Sequence, residues 1–289
     1  MANPILLQKL RAGEFITAPG IQDMITAVIA NEIGFDAVYG TGYWLTASAY
    51  GLPDAGIASV TQMTDRMATL VRSSTAPVIA DADTGYGGLL NVHHTVRAYE
   101  EAGVTAIQIE DQQFPKKCGH TPFKRIVPIE EMVAKIKVAR DARSDENFLI
   151  IARTDARQSE GLSGVLRRME AYAEAGADIL FPEALASEEE MRIQCAAIDR
   201  PFVSNMASGG VTPILPVETL KQIGFSMAIF PALASLVSAA AVRASLLALK
   251  DGDGSGGDQP LYDFKRFCSL IGFEDVWAFE RKWADAETN

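Results

Sequence analysis

The residues of this chain best equipped for chemistry are carboxylates placed where apolar runs end. Asp81 and Asp83 sit two residues apart at the close of Val78–Asp83; by the two-residue period of a strand, both side chains point to one face. Glu110 closes the next run, and Asp54 lies in the loop Tyr50-Gly51-Leu52-Pro53-Asp54-Ala55-Gly56. Arg153, Glu183 and Asn205 stand at the ends of three later runs. Carboxylates brought to one place repel each other unless a cation holds them, and all-oxygen donors suit a hard ion, Mg2+ or Mn2+. Any single Asp here serves equally well as a cap for a following helix. The repetition on consecutive runs is what argues for a site.

A second group follows at once, in Glu110-Asp111-Gln112-Gln113-Phe114-Pro115-Lys116-Lys117-Cys118-Gly119-His120. A thiol with Lys116 and Lys117 before it and His120 after it sits in a positive field, which lowers its pKa and suits proton exchange with a bound anion. Gly119 and the length of the loop would let it swing over a site and exclude water. Taken alone, this loop reads equally well as a surface connection with a chance cysteine. His93 and His94 are adjacent on a helix and point about 100° apart, so they read as an exposed helix start rather than a metal pair. Cys195 and Cys268, with apolar neighbours in helical stretches, read as core or interface.

The elements that must position these residues repeat one pattern. Eight short apolar segments are predicted as strands: Phe15–Ala18, Ala37–Thr41, Val78–Asp83, Ala106–Asp111, Phe148–Asp155, Ile179–Glu183, Phe202–Met206 and Met227–Pro231. Between them lie stretches of helical period, such as Asn91–Ala102, Ile129–Arg140 and Leu162–Ala175. Three helices end on Glu-Ala-Gly or a near relative before the next strand, and Gly is the expected stop after a last helical turn. Eight strand–helix units with nearly continuous apolar strands predict a parallel sheet closed into a (β/α)8 barrel, with catalytic residues at the C-terminal mouth. An open doubly wound sheet is the alternative, but Ala18-Pro19-Gly20 is a poor start for a dinucleotide-binding turn. The barrel is assigned to residues 1–250 and a flexible linker to 251–260. A calcium loop at Asp251, Asp253 and Ser255 is the weaker reading there, because Tyr262 stands where a bidentate Glu is needed. Residues 261–289 form a helical tail whose Phe264, Phe267, Trp277, Phe279 and Trp283 must pack on something, in this chain or a neighbour.

Composition removes other classes. With 37 acidic against 26 basic residues and a net charge of −11, and without a Lys/Arg-dense run, the chain is not expected to bind nucleic acid. Its start lacks the pattern of a signal peptide. The most apolar stretch, Met227–Leu249, is broken by Pro231 and Arg243, so no membrane span is expected. Three widely spaced cysteines fit a reducing, cytoplasmic setting.

The runs Tyr39-Gly40-Thr41-Gly42, Gly51-Leu52-Pro53-Asp54, Asp81-Ala82-Asp83-Thr84-Gly85-Tyr86-Gly87, Ile109-Glu110-Asp111-Gln112 and Lys116-Lys117-Cys118-Gly119-His120 resemble, in order and over nearly the whole chain, the isocitrate lyase/phosphoenolpyruvate mutase superfamily. That resemblance implies a barrel whose last helix is exchanged with a neighbouring subunit, in dimers that pair into homotetramers. It implies Mg2+ bound directly by Asp81, with Asp54, Asp83 and Glu110 reaching it partly through water. Members with Lys-Lys-Cys-Gly-His in the mobile loop are typically carbon–carbon lyases, whereas the mutases carry Asn or other residues there, so Cys118 points to the lyase branch. The implied substrate is a 2-hydroxy di- or tricarboxylate, 2-methylisocitrate or a 2-alkylmalate such as 2,3-dimethylmalate. Cleavage of its C2–C3 bond gives pyruvate and a second carboxylate that Cys118 protonates as general acid. Tyr39 and the amides of Thr41 and Gly42 would hold the oxo-acid carboxylate and developing oxyanion, and Arg153 would meet the negative charge that grows in the transition state. Glu183 and Asn205 would position the substrate, while Lys116 and His120 join the catalytic set.

The chain departs from the pattern at the far end of the site. Methylisocitrate lyases usually follow Gly-His with Arg, where this chain has Thr121-Pro122-Phe123-Lys124, and Trp44 with Phe123 is expected to narrow the pocket there. A shorter or more apolar substituent is favoured. Oxaloacetate hydrolysis or decarboxylation, a phosphonate-type activity (carboxyphosphonoenolpyruvate mutase or phosphonopyruvate hydrolase) and a non-catalytic oxo-acid-binding relative are the alternatives.

Overall fold

A computed structural model describes residues 2–119 and 123–284; His120 and Thr121, named above, lie outside the described residues. The strands are β1 (Ile16–Ile21), β2 (Val38–Gly40), β3 (Val78–Asp81), β4 (Ala106–Glu110), β5 (Leu149–Thr154), β6 (Ile179–Pro182), β7 (Val203–Asn205) and β8 (Met227–Phe230). All pair in parallel, in the order β6-β5-β4-β3-β2-β1-β8-β7. A parallel bridge between Leu180 and Phe202 joins the two ends, so the sheet forms the nearly closed (β/α)8 barrel expected. Alternation along each strand divides the apolar residues into two cores. Ile16, Ile79, Leu149, Ile151, Phe181 and Met227 fill the barrel, with Leu6 from the preceding helix Ile5–Arg11 buried among them. Val38, Ile107, Ile150 and Leu180 face outward onto helix residues such as Met67, Tyr99, Ile136 and Met169.

Differences from the expected boundaries have local causes. β1 runs on through Pro19 and Gly20 to Ile21. A Cβ on Gly20 would overlap the backbone of Pro231, so glycine is what allows β1 and the end of β8 to approach. β3 stops at Asp81, and Asp83 lies beyond it with φ 49°. Strand period therefore does not place the Asp83 side chain; a left-handed turn does. The helix read as Leu162–Ala175 begins earlier, at Arg157, across a non-helical Gly161. Gly34, Gly103 and Gly176, after the three repeated phrases, all have positive φ, as helix stops should.

The helix after β8, Leu233–Lys250, is among the described residues the one helix long and apolar enough, by length and composition, to cross a membrane. It packs beside β1 as the eighth helix of the barrel. Its outer side leaves Val237, Val242, Leu246 and Leu249 more than half exposed. Beyond it, the carboxylate of Asp253 accepts hydrogen bonds from the amide and hydroxyl of Ser255 and the amide of Gly257, so this side chain is used to build a turn. The tail helices Phe264–Leu270 and Phe273–Ala284 bury none of their residues. They are tied to the body at Glu32, which accepts from Tyr262 at 3.2 Å and from Arg266.

Candidate active site

A cavity of ≈ 270 Å³ opens at the C-terminal ends of the strands. Tyr39, Asp81, Glu110, Arg153, Glu183 and Asn205 reach it from β2 to β7 and the turns just past them, and Thr41, Trp44, Asp54, Lys116, Cys118 and Gly119 also line it. Sequence reasoning thus chose residues that the fold does bring together. Gly42 and Asp83 stand one layer behind. Phe123 is misplaced in the reading above: it is 83% exposed, beneath the Lys117 ammonium, and does not line the cavity.

The acidic wall is held by a cation from the protein itself. Lys116 Nζ lies 2.6 Å from Asp54 Oδ1 and 2.9 Å from Asp83 Oδ1, with all three side chains nearly sealed from solvent. These carboxylates, with Asp81 and Glu110, outweigh the cost of burying the ammonium and hold Lys116 protonated well above the usual lysine range. The ammonium of Lys116, read from the sequence as part of the field around Cys118, is thus directed at Asp54 and Asp83. Burial, with the charges of Asp81 and Asp54 alongside, pushes Asp83 up to about 7 against the pull of Lys116.

Asp81 and Glu110 are differently placed. The Asp83 amide donates to Asp81 Oδ1 at 3.0 Å. A Cβ on Gly42 would come within 2.8 Å of Asp81 Oδ2, so glycine there keeps that oxygen uncrowded. Glu110 Oε1 is buried with no hydrogen-bond partner; its Oε2 is 3.4 Å from both Arg153 Nε and Gln108 Nε2. Burial pushes the Glu110 carboxyl well above its ordinary range. Tyr39 donates its hydroxyl to Gln108 Oε1 at 2.7 Å, which fixes the ring at the cavity wall. Thr41 caps the helix Gly42–Tyr50, accepting from the Trp44 amide at 3.1 Å. The first-turn amides of that helix therefore start at the cavity, where a carboxylate is favoured by hydrogen bonding and by the helix dipole.

Beside Glu110 stands Arg153. Its guanidinium makes a two-point pair with Asp155 at 2.9 and 3.1 Å, reaches Glu183 Oε2 at 3.2 Å and lies over the Phe181 ring. Asn205 Nδ2 donates to the same Glu183 oxygen at 3.0 Å. The loop carrying Cys118 is seated on this cluster. A Cβ on Gly119 would overlap Arg153 Nη2 and come within 2.9 Å of Asp155 Oδ1. At its base the loop is closed by a short antiparallel ladder, Gln113 N–H to Arg125 O at 2.7 Å and Val127 N–H to Asp111 O at 2.8 Å. Inside it, the Gln112 amide donates to Lys117 O at 2.7 Å and accepts from Lys117 N at 3.0 Å, gripping the residue before Cys118. We expect Gly119→Ala to lower kcat/KM by on the order of 100-fold with little change in melting temperature, because the added methyl lifts the loop by about an ångström; steady-state kinetics beside a thermal melt checks it.

Sequence reasoning missed Asp155, Gln108 and Gln112. Asp155 follows Arg153, and Gln108 precedes Glu110, at the spacing that selected Asp81 and Asp83, so the signal for both was present.

The family model described as phosphoenolpyruvate phosphomutase matches residues 7–250. The chain belongs to the phosphoenolpyruvate mutase/isocitrate lyase superfamily. A 2,3-dimethylmalate lyase of Eubacterium barkeri is 44% identical over 95% of this chain and 96% of its own length. A 2-methylisocitrate lyase of Halalkalibacterium halodurans is 40% identical over 96% and 92%. The crystal structure of a 2,3-dimethylmalate lyase superposes with a TM-score of 0.90 at 34% identity, covering 98% of this chain and 96% of that one. The chain is therefore an enzyme of a superfamily in which full-length relatives are named lyases. The family model is itself named for a mutase, so the reaction has to be argued from the cavity.

Proposed function

We propose that this enzyme is a Mg2+-dependent carbon–carbon lyase that cleaves a 2-alkylmalate, 2,3-dimethylmalate foremost, to pyruvate and propionate. The observation that carries the reading is the seating of the lid: Cys118 stands in the wall of the same cavity as Asp81 and Glu110, while Gly119 rests on Arg153. A thiol so placed can deliver a proton to a carbon released inside the cavity. Phosphoryl transfer has no use for that proton.

The ion is supported by three features: the bare buried Glu110 Oε1, the Asp81 oxygen kept open by Gly42, and an all-oxygen donor set. Among the described residues no three acidic, His or Cys side chains form a ready-made cage. Mg2+ seldom needs one, since it is usually held by one or two carboxylates, water and ligand oxygens. Asp81 and Glu110 are the assigned donors, with Asp54 and Asp83 behind them. When bound, the ion offsets the negative charge of the 2-hydroxy acid and makes loss of its hydroxyl proton easier. The amides that open the helix Gly42–Tyr50 bind the substrate's C1 carboxylate. Arg153 faces the oxygen that becomes the ketone, and Glu183 and Asn205 fix the guanidinium's direction. The hydroxyl proton leaves to solvent as the C2–C3 bond breaks; the bonding electron pair stays on C3, Cys118 gives its proton there, and the thiolate is reprotonated from solvent once the products have left.

The choice of substrate follows from the cations in the wall. Lys116 and Arg153 are already engaged by protein carboxylates, the ammonium of the third wall cation, Lys117, lies over the exposed Phe123 ring, and much of the remaining wall is Trp44, Ala207, Gly209, Gly210 and Ile229. Such a surface suits methyl groups better than a third carboxylate. With Mg2+ present, kcat/KM for pyruvate release should be at least about tenfold higher for 2,3-dimethylmalate than for 2-methylisocitrate, the worth of one poorly matched buried group. Faster turnover of oxaloacetate or phosphonopyruvate, or undiminished activity in EDTA, would overturn the assignment.

The tail belongs to the same proposal. Its exposed aromatic residues and the exposed side of Leu233–Lys250 together form the apolar surface that a neighbouring subunit would cover in a helix-swapped homotetramer. Light scattering should give four times 31.1 kDa for the native chain and a smaller particle for Trp277→Arg/Phe279→Glu. A native monomer would contradict it. Three cysteines without a disulfide support a cytoplasmic home.

A further inference from the structure

Lys124 lies on the returning limb of the lid, five residues past Gly119, and its side chain is 5% exposed. Its ammonium donates to two acceptors, the Gly119 carbonyl and Asp155 Oδ1, the latter at 3.0 Å. A buried ammonium on a loop is unfavourable unless its partner is fixed in advance. Asp155 is fixed. Arg153 grips its carboxylate at two points, and its own amide donates to Asp111 Oδ1 at 2.9 Å. Asp111 is held in turn by Thr154 at 2.6 Å, Tyr172 at 2.8 Å and Arg168 at 3.1 Å. The line of contacts thus runs from the long helix Arg157–Ala175, through the end of β5, to the lid.

Neutralising Asp155 would not by itself require Lys124, because Arg153 already supplies a positive partner in the better, two-point geometry. The second contact separates the roles: the same ammonium holds a backbone carbonyl next to Cys118. It joins the loop to the end of β5.

We propose that Lys124 is a positioning residue, which by bridging the Gly119 carbonyl to Asp155 keeps the loop seated with Cys118 at the cavity. The role in turnover rests on the lyase reading above; the seating itself does not, and the two can be tested apart. The probe is iodoacetamide, with labelling of Cys118, Cys195 and Cys268 followed separately by peptide mass spectrometry on the full-length protein. In Lys124→Met, Cys118 should be labelled at least about tenfold faster than in the native protein, as for a segment whose local opening has become easier, with Cys195 and Cys268 unchanged. Lys124→Arg, which keeps a donor for both acceptors, should return most of the protection. In the pyruvate assay Lys124→Met should lose kcat while the affinity for pyruvate with Mg2+ holds. An unchanged Cys118 rate in Lys124→Met overturns the proposal, whatever the enzyme's substrate proves to be. Should Lys124→Met unfold, visible as a matching rise at Cys195, Lys124→Gln is read by the same criterion. A native protein that releases no pyruvate from any substrate but shows the labelling difference would sink the lyase reading and leave the seating intact.

Discussion

Cys118→Ser should lower the rate of pyruvate formation by on the order of 100- to 10,000-fold, the span over which a positioned proton donor accelerates a reaction, while pyruvate with Mg2+ binds as before. The two halves of this expectation come from different parts of the cavity. Binding is assigned to Asp81, Glu110 and the amides opening the helix Gly42–Tyr50, none of which the substitution touches. Proton delivery is assigned to the lid, where serine preserves the size of the side chain but is a far weaker acid. A phosphoryl-transferring enzyme on the same platform would lose little. Stopped assays for pyruvate and calorimetric titration with pyruvate, run on the same preparation, separate the two halves.

The second large effect is expected at Lys116, and it falls on stability. Lys116→Met would leave Asp54 and Asp83 facing each other beside Asp81 with no cation among them. Removing one member of a buried ionic cluster typically costs about 3–5 kcal/mol, which in a domain of this size lowers the melting temperature by roughly 10 °C. The pH dependence has a defined sign. Asp83 already has a raised pKa, about 7 in the native protein, so the folded state holds a proton that the unfolded state has released between about pH 4 and 7. Stability falls as pH rises through that window, and once Lys116 no longer counters it the fall should extend above pH 7. Asp155 works the other way. Held down to about 2 by Arg153 and Lys124, it contributes stability that is present above about pH 4 and lost as pH drops towards 2. Melting curves from pH 5 to 8 should therefore show the native and Lys116→Met proteins diverging towards pH 8, with added Mg2+ narrowing the gap.

The barrel was legible because its strands are short, apolar and end in polar residues, a pattern that local chemistry imposes before any tertiary contact forms. Seven site residues were found by looking only at the ends of those strands or the loop beyond them: Asp54, Asp81, Glu110, Cys118, Arg153, Glu183 and Asn205. Other features depend on distances that no local pattern encodes. Lys116 looked like part of the thiol's electrostatic setting because it is two residues away in sequence; in space its ammonium belongs to Asp54 and Asp83. Asp83 was chosen by strand period, yet it reaches the site through a turn with positive φ. Phe123 is expected in the pocket on its apolar character, but its side chain is 83% exposed and lines no part of the cavity. Asp155 and Lys124 form a pair 31 residues apart, and only the folded barrel brings them together.

That this cavity breaks a C2–C3 bond and that the departing carbon takes its proton from an exchangeable donor, as the lid thiol is, can be read from the products in one experiment. The native protein with Mg2+ is supplied with 2,3-dimethylmalate in deuterium oxide, and the mixture is followed by proton and carbon NMR. Equimolar pyruvate and propionate, with a single solvent deuterium at C2 of propionate, is expected. Release of pyruvate with propionate free of solvent deuterium would remove Cys118 from its assigned role, and an unchanged spectrum beside rapid conversion of oxaloacetate or phosphonopyruvate would contradict the account as a whole.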